Sequence, residues 1–248
     1  MRYDTFDVSG PSAADWLRVA ADLAKEPCDD KSLGVIAPVH ARYGFAEQTD
    51  FDYQPISPHG PDRRLILVLE SPHVDEYRKD LRGPTPAPAK GRTGLSIRRQ
   101  LGSLLEFVRP RLCEPLELLL VNAVQYQCSR GQLLTCYRSK VNRDRIFRHF
   151  FGTQPKATGK EFRSRMSGYV KEGDVVINCC TAGVTKKPLR DLVTISLVKM
   201  REEIGFSLLC AAHPAARFNQ WGKGFRKDDL LGQTTAQEFS QEQGSPQN

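Results

Sequence analysis

The sequence predicts an α/β fold: a three-layer α/β/α sandwich with a central, mainly parallel sheet of four strands. Two observations predict it. Short apolar runs alternate along the chain with segments whose apolar residues recur at helical spacing. Each run is almost continuously apolar, which is typical of parallel strands buried between helices. A hydrophobic fraction of 40% is sufficient for one large core.

Residues 1–62 are predicted to form an extension of helix and loop ahead of the sheet. Ser12 begins the helix, because Asp15 stands three positions later in an arrangement that resembles a capping box. A loop rich in Pro, Gly and aromatic residues follows. The first strand is predicted at Arg64–Leu69, and the loop after it contains too much Pro and Gly for regular structure.

The remaining strands and helices follow in alternation. A helix begins near Gly94 and ends before Pro110, and Pro188 opens the last helix. The basic segment 139–169 is predicted to form two helices separated near residues 152–155. Further strands are predicted at 116–121, 174–179 and 206–212. From residue 232 the chain is polar and rich in Gln, so we expect a disordered tail after a single domain of residues 1–231.

The charge distribution indicates an anionic partner more strongly than the net charge does. The net charge is +7, and many ordinary enzymes are as basic. Residues 138–165, however, contain nine Lys or Arg, Arg143 among them, against only Asp144 and Glu161. Such a segment can neutralise phosphates along a nucleic acid. The alternative is a solvated helical face, and composition favours neither.

The seven cysteines predict free thiols and no metal or cofactor. Three of them, Cys179, Cys180 and Cys210, stand in strand-like runs, which favours packing in the core. Cys128 and Cys136 are eight positions apart on a polar segment and would supply half of a metal or cluster site, but the chain contains no C-x-x-C pair to complete one.

Polar side chains follow the predicted strands at the point where each strand ends. Glu70 and His73 close LILVLESPH, Asn122 closes ELLLVN, and His213 follows LLCAA. The carboxyl ends of parallel strands meet at one crevice, where open α/β sheets bind ligands. A carboxylate, an amide and an imidazole in one crevice can activate water, read a base edge and stabilise an anionic leaving group.

The order of these motifs resembles the uracil-DNA glycosylase superfamily over residues 65–230. LESPH stands in the place of the first motif, which reads G-Q-D-P-Y in one family and G-E-A-P-G in another. GRTGLSIRRQLGSLL resembles the glycine turn and helix that follow, and LLLVNAVQYQ resembles the L-L-L-N-x-V strand. VVINCCTAGVTKK and AHPAARFNQWGKGFRKDDLL resemble the last strand and the final H-P-S segment.

The resemblance implies a role for each motif residue. Glu70 activates water or stabilises positive charge on the sugar, with Asp75 as the reserve carboxylate. Asn122 reads the base, and His213 donates a hydrogen bond to the departing base. Each residue also has a structural interpretation: Glu70 as a helix cap or Arg partner, Asn122 as a turn amide, and His213 as a structural histidine.

The residues expected to contact DNA are a second set implied by the resemblance. Pro72 shapes the turn beside the sugar and phosphate, and Arg217 fills the gap left by the flipped nucleotide. Lys90 and Arg92 contact phosphate or are exposed loop charges. Pro214 and Arg143 complete the predicted DNA-binding set.

Two departures from the family pattern concern the base. His73 replaces the tyrosine that excludes thymine in the G-Q-D-P-Y family, and Ala89 stands where the G-E-A-P-G family has a phenylalanine that stacks on uracil. We therefore assign both positions to base recognition. Their lack of large rings favours a bulky, modified pyrimidine such as glucosylated hydroxymethylcytosine in phage DNA.

The sequence thus predicts a monofunctional DNA glycosylase with an antiviral defence role, acting as a monomer. Alternatives are a uracil-DNA repair glycosylase, a hydrolase of free nucleotides and a catalytically inactive DNA-binding module. The N-terminus lacks the order of a secretory signal, and no apolar run approaches the roughly 20 residues of a membrane span. We therefore expect a cytoplasmic protein, nucleoid-associated if bacterial.

Overall fold

The computed structural model describes residues 27–36, 53–79, 81, 85–108, 116–128, 140–152, 158–184 and 188–217. The predicted helix at Ser12 and the predicted tail from residue 232 lie outside these ranges. Within them the chain forms five strands and four α-helices. The strands are β1 (Lys31–Ile36), β2 (Arg64–Leu69), β3 (Leu116–Asn122), β4 (Val175–Asn178) and β5 (Ser207–Cys210). The helices are α1 (Arg92–Val108), α2 (Lys140–Gly152), α3 (Thr158–Ser167) and α4 (Leu189–Ile204).

The strands form one mixed sheet in the order β1-β3-β2-β4-β5. Strands β2 to β5 are parallel, whereas β1 pairs antiparallel with β3. The prediction of four strands was therefore wrong by one, because residues 31–36 form an edge strand instead of a loop. Its sequence KSLGVI has a mixed burial pattern, a Gly34 with φ of +85° and a bulge between Ser32 and Val35. An edge strand interrupted in this way lacks the alternation that marks a strand in sequence.

The other predicted elements are confirmed to within a few residues. The four predicted strands are β2 to β5, of which the first three span the predicted residues closely and β5 is shorter. The basic segment forms α2 and α3, and residues 153–157 between them lie outside the described ranges. Pro188 immediately precedes α4, and Gly205, with φ of +89°, ends it in the left-handed conformation that favours glycine.

Helices pack on both faces of the sheet, because side chains of a strand alternate between its faces. On one face Leu65, Leu67 and Leu69 of β2 pack with the apolar stripe of α1. On the other face Ile66 and Val68 pack with apolar residues of α2, α3 and α4. In the described part of the chain, apolar side chains on both faces of β2 are therefore buried against helices.

The chain changes direction at the carboxyl ends of β2 and β4. From β2 it passes over one face through α1 to β3, and from β4 it passes over the other face through α4 to β5. Since β2 and β4 are neighbours whose following connections leave in opposite directions, a crevice opens beyond their carboxyl ends. The fold therefore places the ligand site where Glu70 follows β2.

A buried arginine holds the opposite, amino end of the sheet. Arg64 is completely buried, and its Nε donates to Glu117 Oε2 over 2.9 Å. Its other nitrogen atoms donate to the carbonyl oxygens of Tyr169 and Ser57. The Asp174 carboxylate accepts from the Arg64 backbone N–H over 2.8 Å. These contacts join β2, β3, the start of β4 and the preceding loop.

We expect Arg64→Met to lower the free energy of unfolding by about 3–5 kcal/mol, because it leaves the Glu117 carboxylate buried without its partner. Removing that carboxylate as well, in Arg64→Met/Glu117→Met, should recover part of the loss. The matched control is Arg163→Met, since Arg163 pairs with Glu203 at the surface and such pairs contribute about 1 kcal/mol or less. Urea unfolding followed by circular dichroism measures all four proteins, and equal losses for Arg64→Met and Arg163→Met would contradict the interpretation.

Candidate active site

A cleft of about 190 Å³ lies beyond the carboxyl ends of β2 and β4. Its walls come from the end of β2, the short helix Val74–Tyr77, the start of α1, α2, and the segments after β4 and β5. Of the predicted site residues, Glu70, His73, Asp75, Arg92, Arg143 and His213 line it. The other described lining residues are Leu69, Ser71, Glu76, Gly91, Thr93, Thr181 and Ala215.

Glu70 presents its carboxyl group to this cleft from the end of the central strand. The hydrogen bonds of Ala123 N to Leu69 O (2.8 Å) and of Val124 N to Glu70 O (3.1 Å) fix its backbone. The carboxyl accepts a hydrogen bond from the Thr181 hydroxyl, and Oε1 lies 3.5 Å from Arg143 Nε. Burial raises the pKa of Glu70, while Arg143 and Thr181 oppose that rise. Glu70 thus contacts one cation and one hydroxyl, and both favour its ionised form.

Arg143 is held against Glu70 by its neighbour on α2. Arg143 Nε and one terminal nitrogen donate to Asp144 Oδ1 over 2.9 and 2.6 Å. Asp144 is completely buried, and its other oxygen accepts from Val184 N over 2.7 Å. Asp144 therefore connects α2 to the segment after β4. Sequence placed Arg143 among the DNA contacts, whereas the structure places it beside the candidate catalytic carboxylate.

His213 is a partly buried histidine whose tautomer follows from its contacts. Ala215 N donates to His213 Nδ1 over 3.2 Å, so Nδ1 is unprotonated and Nε2 carries the proton. Burial lowers the pKa of His213 to about 4, and the charges of Arg143 and His73 add to this. Ser96 of α1 donates to Pro214 O over 2.8 Å and anchors the segment. At neutral pH His213 is therefore a neutral donor through Nε2.

Glu76 is a second buried carboxyl group in the cleft, and no sequence motif indicated it as a site residue. It stands three residues after His73, which caps the short helix. Its carboxyl accepts hydrogen bonds from the backbone N–H groups of His73 and Ala89, and Cys28 Sγ lies 3.8 Å from Oε2. A cap residue followed three positions later by Glu is the capping-box spacing, so the pattern was present. What it does not reveal is the burial.

Asn122 and Ala89, both assigned to base recognition, lie in the interior behind the cleft. Asn122 is completely buried, and its Nδ2 donates to Cys28 Sγ over 3.6 Å. Within the described ranges no donor reaches Asn122 Oδ1. Ala89 is fully buried at φ of +55°, and its carbonyl accepts from the Tyr53 hydroxyl over 3.4 Å. Neither residue lines the cleft.

The remaining predicted residues divide between the cleft and its supports. His73 is half exposed, and its Nδ1 lies 3.4 Å from Asp75 Oδ2. Lys90 donates to Arg78 O and Thr85 Oγ1, both over 2.8 Å, so its ammonium group holds the loop after the short helix. Pro72 and Pro214 are buried turn residues. The side chain of Arg217 lies outside the described part of the chain.

The basic segment does not form one uniform charged face. Arg143 reaches Glu70, and Arg165 reaches Asp30 and the backbone oxygen of Asn122 (2.9 Å). Arg145 and Lys160 are exposed. Part of the segment therefore neutralises buried carboxylates, and part remains available to an external anion.

The cysteines of the described residues are free thiols. Cys28, Cys128, Cys179, Cys180 and Cys210 are buried and free. Within the same ranges no group of three or more His, Cys, Asp or Glu side chains is arranged to hold a metal ion. Cys136 lies outside the described residues. No described helix is long and apolar enough to cross a membrane.

Comparisons of the chain with models of protein families, with curated proteins and with solved structures found no match. The chemistry of the cleft is therefore the basis for assigning a function.

We expect His213→Gln to remove a pH dependence of stability. The folded-state pKa of His213 is lowered, so the unfolded state binds the additional proton, and wild-type protein loses up to roughly 3 kcal/mol as pH falls from about 6.5 to about 4. Unfolding free energies measured across this range should fall less steeply for His213→Gln. The exposed His59→Gln is the matched control and should follow the wild type. Parallel curves for all three proteins would refute the neutral, buried state of His213.

Proposed function

We propose that the protein is a monofunctional DNA glycosylase that flips out a base, hydrolyses its N-glycosidic bond and leaves an abasic site. The observation that carries this proposal is that Glu70 and His213, from two distant segments, line one cleft at the switch point of the sheet. Glycosidic cleavage needs a carboxylate at the sugar and a donor at the leaving group. The proposal includes the three-layer sandwich of the uracil-DNA glycosylase type.

Glu70 supplies the carboxylate in this mechanism. It accepts a proton from the attacking water and stabilises the positive charge that develops on the sugar as the bond to the base breaks. A carboxyl group whose pKa is raised by burial is a stronger base near neutral pH. Arg143 and Thr181 favour the ionised form, so they keep Glu70 able to accept the proton.

His213 supplies the donor at the leaving group. Its Nε2–H donates a hydrogen bond to an oxygen of the base as negative charge develops there. The lowered pKa keeps the imidazole neutral at physiological pH, so it acts by hydrogen bonding without first having to lose a proton. The bond electrons leave with the base, and the water oxygen becomes bonded to the sugar carbon.

DNA is the proposed partner because an anionic polymer fits the charge of this chain. The net charge is +7, and exposed side chains include Arg145 on α2, the helix that contributes Arg143 to the cleft, and Lys160 on α3. Arg92 lines the cleft at the first residue of α1, where helix N–H groups favour an anion. A small free nucleotide does not require the additional basic surface, so a polymer is favoured.

The proposed base is a modified pyrimidine such as glucosylated hydroxymethylcytosine in phage DNA, which implies a defence role for a cytoplasmic monomer. Among the described lining residues the only rings are the imidazoles of His73 and His213. A cleft of about 190 Å³ is smaller than the roughly 300–1,000 Å³ typical of drug-sized ligands, so it holds the pyrimidine ring while the bulky substituent extends out of the cleft. The described lining contains no phenylalanine or tyrosine ring of the kind that the resemblance associates with uracil.

Mass spectrometry of the bases released from natural, uracil-containing and phage-modified DNA tests the proposal. We expect release of a modified pyrimidine, and a reduction by a factor on the order of 10²–10⁴ in Glu70→Gln with little change in DNA binding. The exposed Glu106→Gln serves as the matched control. Rapid release of uracil alone would replace the modified substrate with the repair function. Binding without release from any DNA would favour an inactive binding module.

Arg143→Met distinguishes support of Glu70 from phosphate binding. Because Arg143 lowers the pKa of Glu70, its loss should move the acid limb of the rate–pH profile to higher pH, since the base form of Glu70 exists above its pKa. Arg145→Met, two residues away and exposed, should leave the profile unchanged and weaken DNA binding in a salt-dependent way. An unchanged profile in Arg143→Met, with weaker binding only, would return Arg143 to the DNA-contact set.

A further inference from the structure

Glu76 is a buried residue whose side chain lines the cleft. The residue is 4% exposed and lines the cleft, so a ligand would contact its carboxyl group from the cleft. Backbone N–H groups of His73 and Ala89 and the Asn122 amide surround it on the interior side, with Cys28 Sγ at 3.8 Å. These contacts fix its orientation. They do not explain why a titratable carboxyl group stands at this position.

The surroundings of Glu76 differ from those of Glu70 in one decisive respect. Glu70 lies beside the Arg143 guanidinium, whereas the ion pairs in the described ranges include none with Glu76. A buried carboxyl group without a cation is more stable with its proton. Accordingly burial raises the pKa of Glu76 to about 8, in spite of the hydrogen bonds that oppose the rise. At neutral pH the group is mostly neutral.

Burial raises the pKa values of three groups near Glu76. Burial raises the pKa of Cys28 far above its ordinary value and raises that of Tyr77 as well. Asp30 lies beyond Cys28 and has a pKa raised to about 6 by burial. On the loop of Ala89, Lys90 donates to Arg78 O and Thr85 Oγ1. The other titratable groups of the described cleft lining are Glu70, His73, Asp75, Arg92, Arg143 and His213.

We propose that Glu76, as a neutral carboxylic acid, reads the edge of the flipped pyrimidine, and that Asn122 is the positioning residue that holds it. This inference rests on the proposed glycosylase function. A neutral carboxyl group offers one O–H donor beside one acceptor. The pairing edge of a cytosine ring offers an acceptor at N3 beside the exocyclic N4–H donor, so two parallel hydrogen bonds form. An ionised carboxylate has only acceptors and leaves N3 without a donor.

The same arrangement explains the position of Asn122. Its amide is completely buried, contacts Glu76 and Cys28, and does not line the cleft. The reading of the base, which the sequence predicted for the Asn122 amide, is instead the role of the Glu76 carboxyl group. A bulky substituent at the fifth position of the ring lies away from the N3 and N4 edge. Reading by Glu76 is therefore compatible with a modified cytosine.

The rate of base release as a function of pH, measured under single-turnover conditions, tests the proposal. In the wild type the rate should fall as pH rises through about 8, because Glu76 loses its proton there. Glu76→Gln keeps a donor and an acceptor and cannot ionise, so its rate should remain level over the same range. Glu76→Ala should lose on the order of 10- to 100-fold at pH 7. Glu106→Gln is the control for the substitution.

A purely structural role of Glu76 gives different results. If Glu76 only caps its helix, the wild type and Glu76→Gln should show the same dependence of rate on pH, and this outcome overturns the proposal while the glycosylase function stands. Binding tests Glu76 without any cleavage. The wild type should prefer duplexes with a phage-modified cytosine over duplexes with an abasic analogue at pH 7, and lose that preference at pH 9.5. Glu76→Gln should keep the preference at both values.

Failure of the glycosylase function is recognised separately. It appears as no base release from any DNA together with the pH-dependent binding preference described for Glu76, which supports the reading role alone. Absence of that preference in the wild type overturns the reading role, whether or not bases are released. Unfolding curves of each variant at pH 7 exclude loss of fold as the cause.

Discussion

The burial of a carboxyl group at the end of the central strand is the constraint on which the cleft depends. Glu70 follows β2, which has strands on both sides, so its carboxyl group has little access to water. Such burial is costly unless a cation and hydrogen bonds offset it. Arg143 and Thr181 provide them, and Asp144 holds Arg143. The contacts that stabilise the Glu70 carboxylate thus also join α2 to the segment after β4.

The sheet carries charged groups at both ends, and they are used differently. At the amino end Arg64 is surrounded by Glu117 and backbone oxygens, with every contact made inside the protein. At the carboxyl end the Glu70 pair opens on one side to a cleft. The first arrangement stabilises the fold, whereas the second keeps a reactive group accessible to a ligand. In open α/β sheets, ligands bind beyond the carboxyl ends of the strands, which is where the Glu70 pair lies.

Sequence predicted the elements of the fold well where a single local pattern determines them. The apolar runs of β2 and β3 and the stripe of α1 are such patterns, and their bounds were confirmed. The strand β1 was missed because Gly34 and a bulge interrupt it, and its stability comes from pairing with a distant strand. Glu70 and His213 were placed in one cleft correctly, since the ends of parallel strands converge. Glu76 was missed because its burial depends on Cys28 and on the loop of Ala89, far away in sequence.

The segment that contains the short strand β1 contacts residues of the candidate site. Just ahead of it, Cys28 lies against Glu76, and Asp30 accepts from Asn122 N and pairs with Arg165. The strand itself covers the outer edge of β3. Residues 27–36 therefore supply contacts that hold Glu76 and Asn122 behind the cleft, although they precede the first long apolar run by almost thirty positions. A shortened chain that starts at β2 would lose these contacts.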